Sequence, residues 1–145
     1  MRVPPGAYCL LAGTTVTGNV IVSSGATLVA GGVHIGGSVQ ARKAKSISVI
    51  VDSRVRGSVR VELSARAVVT ESRVGGSIRL TSNRGPVNVG RARVEGDVQL
   101  VANVGRSTVA RNDVGGDLQC TANRPRPTGG SNRVEGEKRG QCARL

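Results

Sequence analysis

Apolar positions recur along this chain in a short motif: an apolar residue, any residue, glycine, any residue, another apolar residue. It reads Val16-x-Gly18-x-Val20, Ile35-x-Gly37-x-Val39, Val55-x-Gly57-x-Val59, Val74-x-Gly76-x-Ile78, Val94-x-Gly96-x-Val98 and Val114-x-Gly116-x-Leu118. A degenerate copy follows at Val134-x-Gly136-x-Lys138. The glycines stand 19, 20, 19, 20, 20 and 20 residues apart. Such a fixed period marks a repeat architecture whose units cannot bury their apolar face alone.

Within each copy the apolar and polar positions alternate with the two-residue period of a strand. The two apolar residues and the glycine then share an inward face. So does the position two places further on, which holds Val22, Ala41, Val61, Leu80, Leu100 and Cys120. Arg56, Ser58 and Arg60 point outward. Glycine on the inward side lets a neighbouring sheet approach or the chain bend. A second apolar cluster completes each coil: Leu28, Ile47/Val49, Val68, Val87/Val89 and Val109. Between the clusters Asn83, Asn103 and Asn123 occupy one column, preceded there by Gly25, Ala44 and Ser64. Stacked asparagines hydrogen-bond from coil to coil and tolerate left-handed backbone angles, which is turn chemistry.

No stretch carries the 3.6-residue stripe of a helix. The six-residue spacing of left-handed hexapeptide helices is not maintained either. The expectation is an all-β chain, a single-stranded right-handed parallel β-helix of about six or seven coils. It forms one domain: an N-terminal cap over 1–15, repeat coils over 16–137 and a C-terminal cap over 138–145. Pro4, Pro5 and Tyr8 suit the first cap. At the other end Lys138 replaces an inward apolar residue, and Pro125 and Pro127 interrupt strand pairing.

Composition narrows the core. Of 145 residues 24 are valine and 21 glycine, with one tyrosine and no Phe or Trp, so the core is aliphatic. No apolar run reaches the 18 or so residues of a membrane span, so no transmembrane segment is expected.

Charge adds the one surface signal. The chain carries +12, and 18 of its 21 basic residues are arginine. A GC-rich genome favours such a composition; a polyanion partner would use it. Arg54, Arg73, Arg93 and Arg133 precede the first valine of their coils and form a ladder, with Glu71, Glu95, Asp97 and Asp113 near enough to offset part of it. Lys45 and the anion-binding candidates Arg66, Arg84, Arg106, Arg124 and Arg126 form a second ridge with fewer acids beside it. An anionic envelope polymer is the partner this ridge would take. Without aromatics to stack bases, no specific nucleic-acid partner is expected. Self-association, end to end or lateral, is the other partner expectation, because solenoid ends are open sheet edges.

Three cysteines bear on compartment. Cys120 and Cys142 lie 22 residues apart, slightly more than one coil. Residues one coil apart sit near 4.8 Å, a distance a disulfide spans. Cys9 is left over, buried or reactive. A stapled end argues for export to the cell surface or envelope. The repeats begin too close to Met1 for a signal peptide, so export requires a leader already removed or a start elsewhere; a cytoplasmic location is the alternative.

Catalytic chemistry is sparse, and the expectation is that the chain is not an enzyme. His34 is the single histidine and falls in the exposed arginine column. One His and three scattered Cys lack metal-ligand spacing, so neither a metal nor a cofactor is expected. The acids Glu95, Asp97, Asp117, Glu135 and Glu137 stack on an outward face, where they neutralise arginines or hold calcium.

The coil Val16-Thr-Gly-Asn-Val-Ile-Val-Ser-Ser-Gly-Ala-Thr-Leu28, the coil Val114-Gly-Gly-Asp-Leu-Gln-Cys120 and the ending Asn132-Arg-Val-Glu-Gly-Glu-Lys-Arg-Gly-Gln-Cys142 resemble small secreted actinobacterial β-helix proteins. That resemblance covers nearly the whole chain, with the paired C-terminal cysteines as its most specific element. It implies a fold and export, and no activity. A more distant likeness is to bactofilins, polymer-forming β-helices that also use Val-x-Gly-x-Ile coils. It implies a filament subunit, although the coil here is longer and the C-terminal end differs. The expected role is a structural solenoid, with polyanion binding or filament formation as alternatives.

Overall fold

The computed structural model describes residues 1–145 and contains only strands and turns. The strands form three parallel sheets of eight, seven and seven members, here sheets A, B and C. One coil visits each sheet once. Val59–Glu62 lies in sheet A, Ala67–Thr70 in sheet B and Arg73–Val74 in sheet C, and Ile78–Thr81 returns to sheet A. Register runs one coil at a time, as in Val39↔Val59↔Ile78↔Val98↔Leu118. The chain is a β-solenoid of about seven coils with a three-sided cross-section.

Alternation within each strand sends one set of side chains inward. Val20, Val39, Val59, Ile78, Val98 and Leu118 stack in one buried column, and Ile35, Val55, Val74, Val94 and Val114 in another. Together 33 buried apolar residues form one continuous core. Each buried Val or Leu contributes about 1.5–3 kcal/mol, and the ladder bonds between coils satisfy the backbone. The residues expected as an N-terminal cap run through Arg2–Val3, Tyr8–Ala12 and Thr15–Val16, which pair with sheets A, B and C respectively. Lys138–Gly140 is likewise a strand of sheet A, in register with Leu118–Cys120.

Three details differ from the sequence reading. The Val-x-Gly-x-Val motif is two strands rather than one: Arg54–Val55 ends in sheet C, the chain bends at Arg56-Gly57, and Val59 opens sheet A. Gly57 is therefore half-buried at a corner and not part of the inward face. Val68 points outward, in the column of Ser48, Asn88 and Thr108, while Ala67 and Val69 fill the core. The turn before Leu28 buries Ala26, and Gly25 is exposed with φ +73°.

The chain passes each of two corners through the left-handed region. Lys43, Leu63, Ser82, Ala102 and Ala122 have φ between 52° and 56° after sheet A. Asp52, Glu71, Arg91, Arg111 and Ser131 have φ between 46° and 59° after sheet B. Each non-glycine residue there costs about 1–2 kcal/mol. Such a conformation persists only where the surroundings over-determine it, and side-chain ladders at the corners do so.

Candidate functional site

Each corner of the prism holds a ladder in which side chains of one coil bind the backbone of its neighbour. At the corner between sheets A and B the column is Ala44, Ser64, Asn83, Asn103 and Asn123. The Ala44 N–H donates to Ser64 Oγ at 3.0 Å and the Ser64 N–H to Asn83 Oδ1 at 3.0 Å. The N–H groups of Asn83 and Asn103 donate in turn to Asn103 Oδ1 and Asn123 Oδ1, both at 3.0 Å. Each asparagine also turns Nδ2 to a carbonyl of the preceding coil, those of Val61, Leu80 and Leu100. Gln141 Oε1 continues the column by accepting from Asn123. The three asparagines are buried, so these bonds are not exchanged with water.

A second ladder, not singled out from the sequence, stands between sheets B and C. Its column is Val33, Ser53, Ser72, Ala92, Asn112 and Asn132. The Ala92 N–H donates to Asn112 Oδ1 and the Asn112 N–H to Asn132 Oδ1, both at 3.0 Å. Only its last two members are asparagine, so its signal was one pair spaced by 20 residues.

The third corner, from C to A, follows each repeat glycine. Ser58, Ser77, Asp97, Asp117 and Glu137 donate their backbone N–H to Ser38 Oγ, Ser58 Oγ, Ser77 Oγ, Asp97 Oδ1 and Asp117 Oδ1, at 2.8 to 3.0 Å. Asp97 and Asp117 thus accept from the next coil, which gives these two acids of the face a structural task. The repeat glycines stack against one another here. A Cβ on Gly76, Gly96 or Gly136 would lie 2.7–3.0 Å from the carbonyl oxygen of the glycine one coil before, and closer still to a Ser or Asp side chain. Gly37, Gly57 and Gly116 are equally closed, whereas Gly18 faces open space.

Cys120 and Cys142 form a disulfide with Cα atoms 5.2 Å apart. Both residues are buried, Cys120 beneath Leu100 in its column and Cys142 in the turn that follows sheet A. Cys9 is free and half-buried.

Arginines meet in two ways. On sheet C, His34, Arg54, Arg73, Arg93, Asp113 and Arg133 stand directly in register. His34 is exposed at the head of this ladder, in a shallow groove it shares with Asp52, Glu71 and Arg91. Arg91 and Glu71 pair across 3.8 Å. At the A–B corner the ridge is staggered instead. Arg66 and Arg106 share a column with Pro86, one place before the paired Ala67, Val87 and Ser107. Arg124 stands in the adjacent column, opposite Val104, and Arg84 precedes Val104 there.

No helix is long and apolar enough to cross a membrane. Comparison with protein-family models, with curated proteins and with solved structures finds no match.

Proposed function

We propose that this chain is a non-catalytic structural solenoid of an oxidising compartment, exported and acting at the cell surface or envelope. The observation that carries the reading is the Cys120–Cys142 disulfide, buried in the last coils of the stack. A bond closing a loop of 22 residues stabilises by roughly 3 kcal/mol in the chain-entropy model, and such bonds persist where thiols are not kept reduced. The resemblance of the coils to small secreted actinobacterial β-helix proteins supports the same location. Three corner ladders commit every buried polar side chain but Ser107 to holding coils together, which suits a scaffold. The test is the melting temperature of wild type and Cys120→Ser with and without reductant, alongside fractionation of producing cells. A gap between the two proteins that closes on reduction, with the protein outside the cytoplasm, supports the reading. An equal gap in both conditions, or a cytoplasmic protein with free thiols, would sink it.

A second reading, polyanion binding at the A–B corner, is favoured by the row of cations there. Salt-sensitive retention on an anionic resin tests it, and elution at a salt concentration no higher than a neutral protein's would remove it. The bactofilin likeness offers a filament subunit as the further alternative. Mass by light scattering and negative-stain microscopy decide that one, with a monodisperse species near 14.9 kDa counting against filaments.

A further inference from the structure

The A–B corner carries charge in a pattern that no other edge of the prism shows. Register puts Lys45, Ala65, Arg84, Val104 and Arg124 in one column and Ser46, Arg66, Pro86, Arg106 and Arg126 in the next. Every coil from Lys45 onward presents a cation in these two columns, and the occupied column alternates; Lys43, exposed at the same turn, adds a second cation to the first of these coils. Lys45 stands in the first column, Arg66 in the second, Arg84 in the first and Arg106 in the second. Arg124 and Arg126 then fill both. All six are exposed.

Eight of the nine acids of the chain lie elsewhere. Glu95, Asp97, Asp117, Glu135 and Glu137 occupy the C–A corner, Asp52 and Glu71 the B–C corner, and Asp113 sheet C. The ninth, Glu62, ends its sheet A strand directly before the corner residue Leu63, in register with Arg42. The ion pairs of the molecule are Arg91–Glu71, Arg139–Asp117 and Arg139–Glu137, and none includes a ridge cation. The edge is thus an unneutralised zigzag of positive charge rising about 4.8 Å per coil. Apolar side chains stand between the charges: Val104 is 60% exposed, and Ala65 and Leu63 flank a shallow depression with Lys43, Lys45 and Arg84.

We propose that this edge binds a linear acidic polysaccharide with one carboxylate per sugar, lying along the solenoid axis. An extended β-linked polyuronate advances by close to one strand spacing per sugar and turns successive carboxylates to alternate sides, which matches one cation per coil in alternate columns. Its C–H faces meet Val104 and Ala65. A nucleic-acid strand fits less well, because its phosphates advance about 3.4 Å in a duplex and no aromatic side chain stands ready to stack its bases. The inference rests on the polyanion reading and adds to it the chemical class and the edge.

The test titrates poly-mannuronate oligomers, heparin and single-stranded DNA of equal total charge into the full chain by calorimetry at several salt concentrations. Two variants of equal net charge are compared: Arg66→Gln/Arg84→Gln/Arg106→Gln on the edge and Arg54→Gln/Arg73→Gln/Arg93→Gln on sheet C. Gln99 and Gln119 already stack in register on sheet A, so the ladders accept this side chain. Polyuronate affinity is expected to fall about tenfold or more in the edge variant and to stay near wild type in the sheet C variant. Equal loss in both overturns the edge and leaves the polyanion reading standing. Tighter binding of heparin or DNA than of polyuronate overturns the chemical class. Binding of none of the three removes both the inference and the reading beneath it. If the edge triple melts early, Arg84→Gln and Arg106→Gln taken singly carry the same comparison, each with a loss of about threefold.

Discussion

Asn103 Oδ1 accepts two hydrogen bonds from Asn83, one from its backbone N–H and one from its Nδ2, both at 3.0 Å. The same Asn103 donates Nδ2 to Leu80 O at 2.9 Å and to Asn123 Oδ1 at 2.9 Å. One buried amide therefore joins three coils. Its donors and acceptors satisfy a corner that the backbone ladder leaves open, and each such group left unpaired inside costs about 1–3 kcal/mol.

Replacing Asn103 by Ala removes together the acceptor of Asn83 N–H, one of the two acceptors of Asn83 Nδ2 and the side-chain donor to Leu80 O. The expected loss is about 3–5 kcal/mol in urea unfolding. Asn103→Ser should lose less, because Ser64 in the same column already accepts a backbone N–H through its hydroxyl. Equal losses for Ala and Ser would mean that volume, rather than hydrogen bonding, sets the cost.

Gly96 packs against Gly76, and an added Cβ would stand 2.8 Å from the Gly76 carbonyl oxygen. Backbone cannot yield there without opening the ladder. Gly96→Ala is expected to cost about 2–4 kcal/mol, and Gly18→Ala, which meets open space, less than about 1 kcal/mol. Similar melting temperatures for the two variants would show that the column tolerates side chains.

Ser107 occupies a core position in register with Val87, and its Oγ is buried without a hydrogen-bond partner. Ser107→Ala removes a desolvated hydroxyl and leaves the fold otherwise unchanged. Stability is expected to rise by about 1 kcal/mol, read from the denaturation midpoint. A fall of similar size would mean that the hydroxyl finds a partner in solution.

Ala102 turns the A–B corner at φ +54°. Glycine adopts that conformation without the steric cost, although it also loosens the unfolded chain. Ala102→Gly is expected to stabilise by about 0.5–1 kcal/mol. Ala110→Gly, at the last residue of the Ser107–Ala110 strand of sheet B, is expected to destabilise by a similar amount. The comparison fails if both substitutions move the melting point in the same direction.

The repeat of 19 or 20 residues determined by itself that the chain is a parallel solenoid, because one apolar residue in register per coil is useful only when coils stack. It also placed Cys120 and Cys142 within bonding reach, since the rise of one coil, about 4.8 Å, falls within the Cα separation a disulfide bridges. Where the coil bends was decided by the tertiary structure. Val55-x-Gly57-x-Val59 alternates identically whether the chain runs straight or turns at the glycine. Only the closeness of stacked Gly37, Gly57 and Gly76 shows the turn. Parity along the second strand was likewise open, because the left-handed Leu63 and the corner after it reset which residue faces in, and Ala67 took the place expected of Val68. The polar ladders at Asn112/Asn132 and at Ser58/Ser77/Asp97 belong to the same class of information. Hydrogen bonds between coils depend on register at corners, and register there exists only once three sheets have closed around one core.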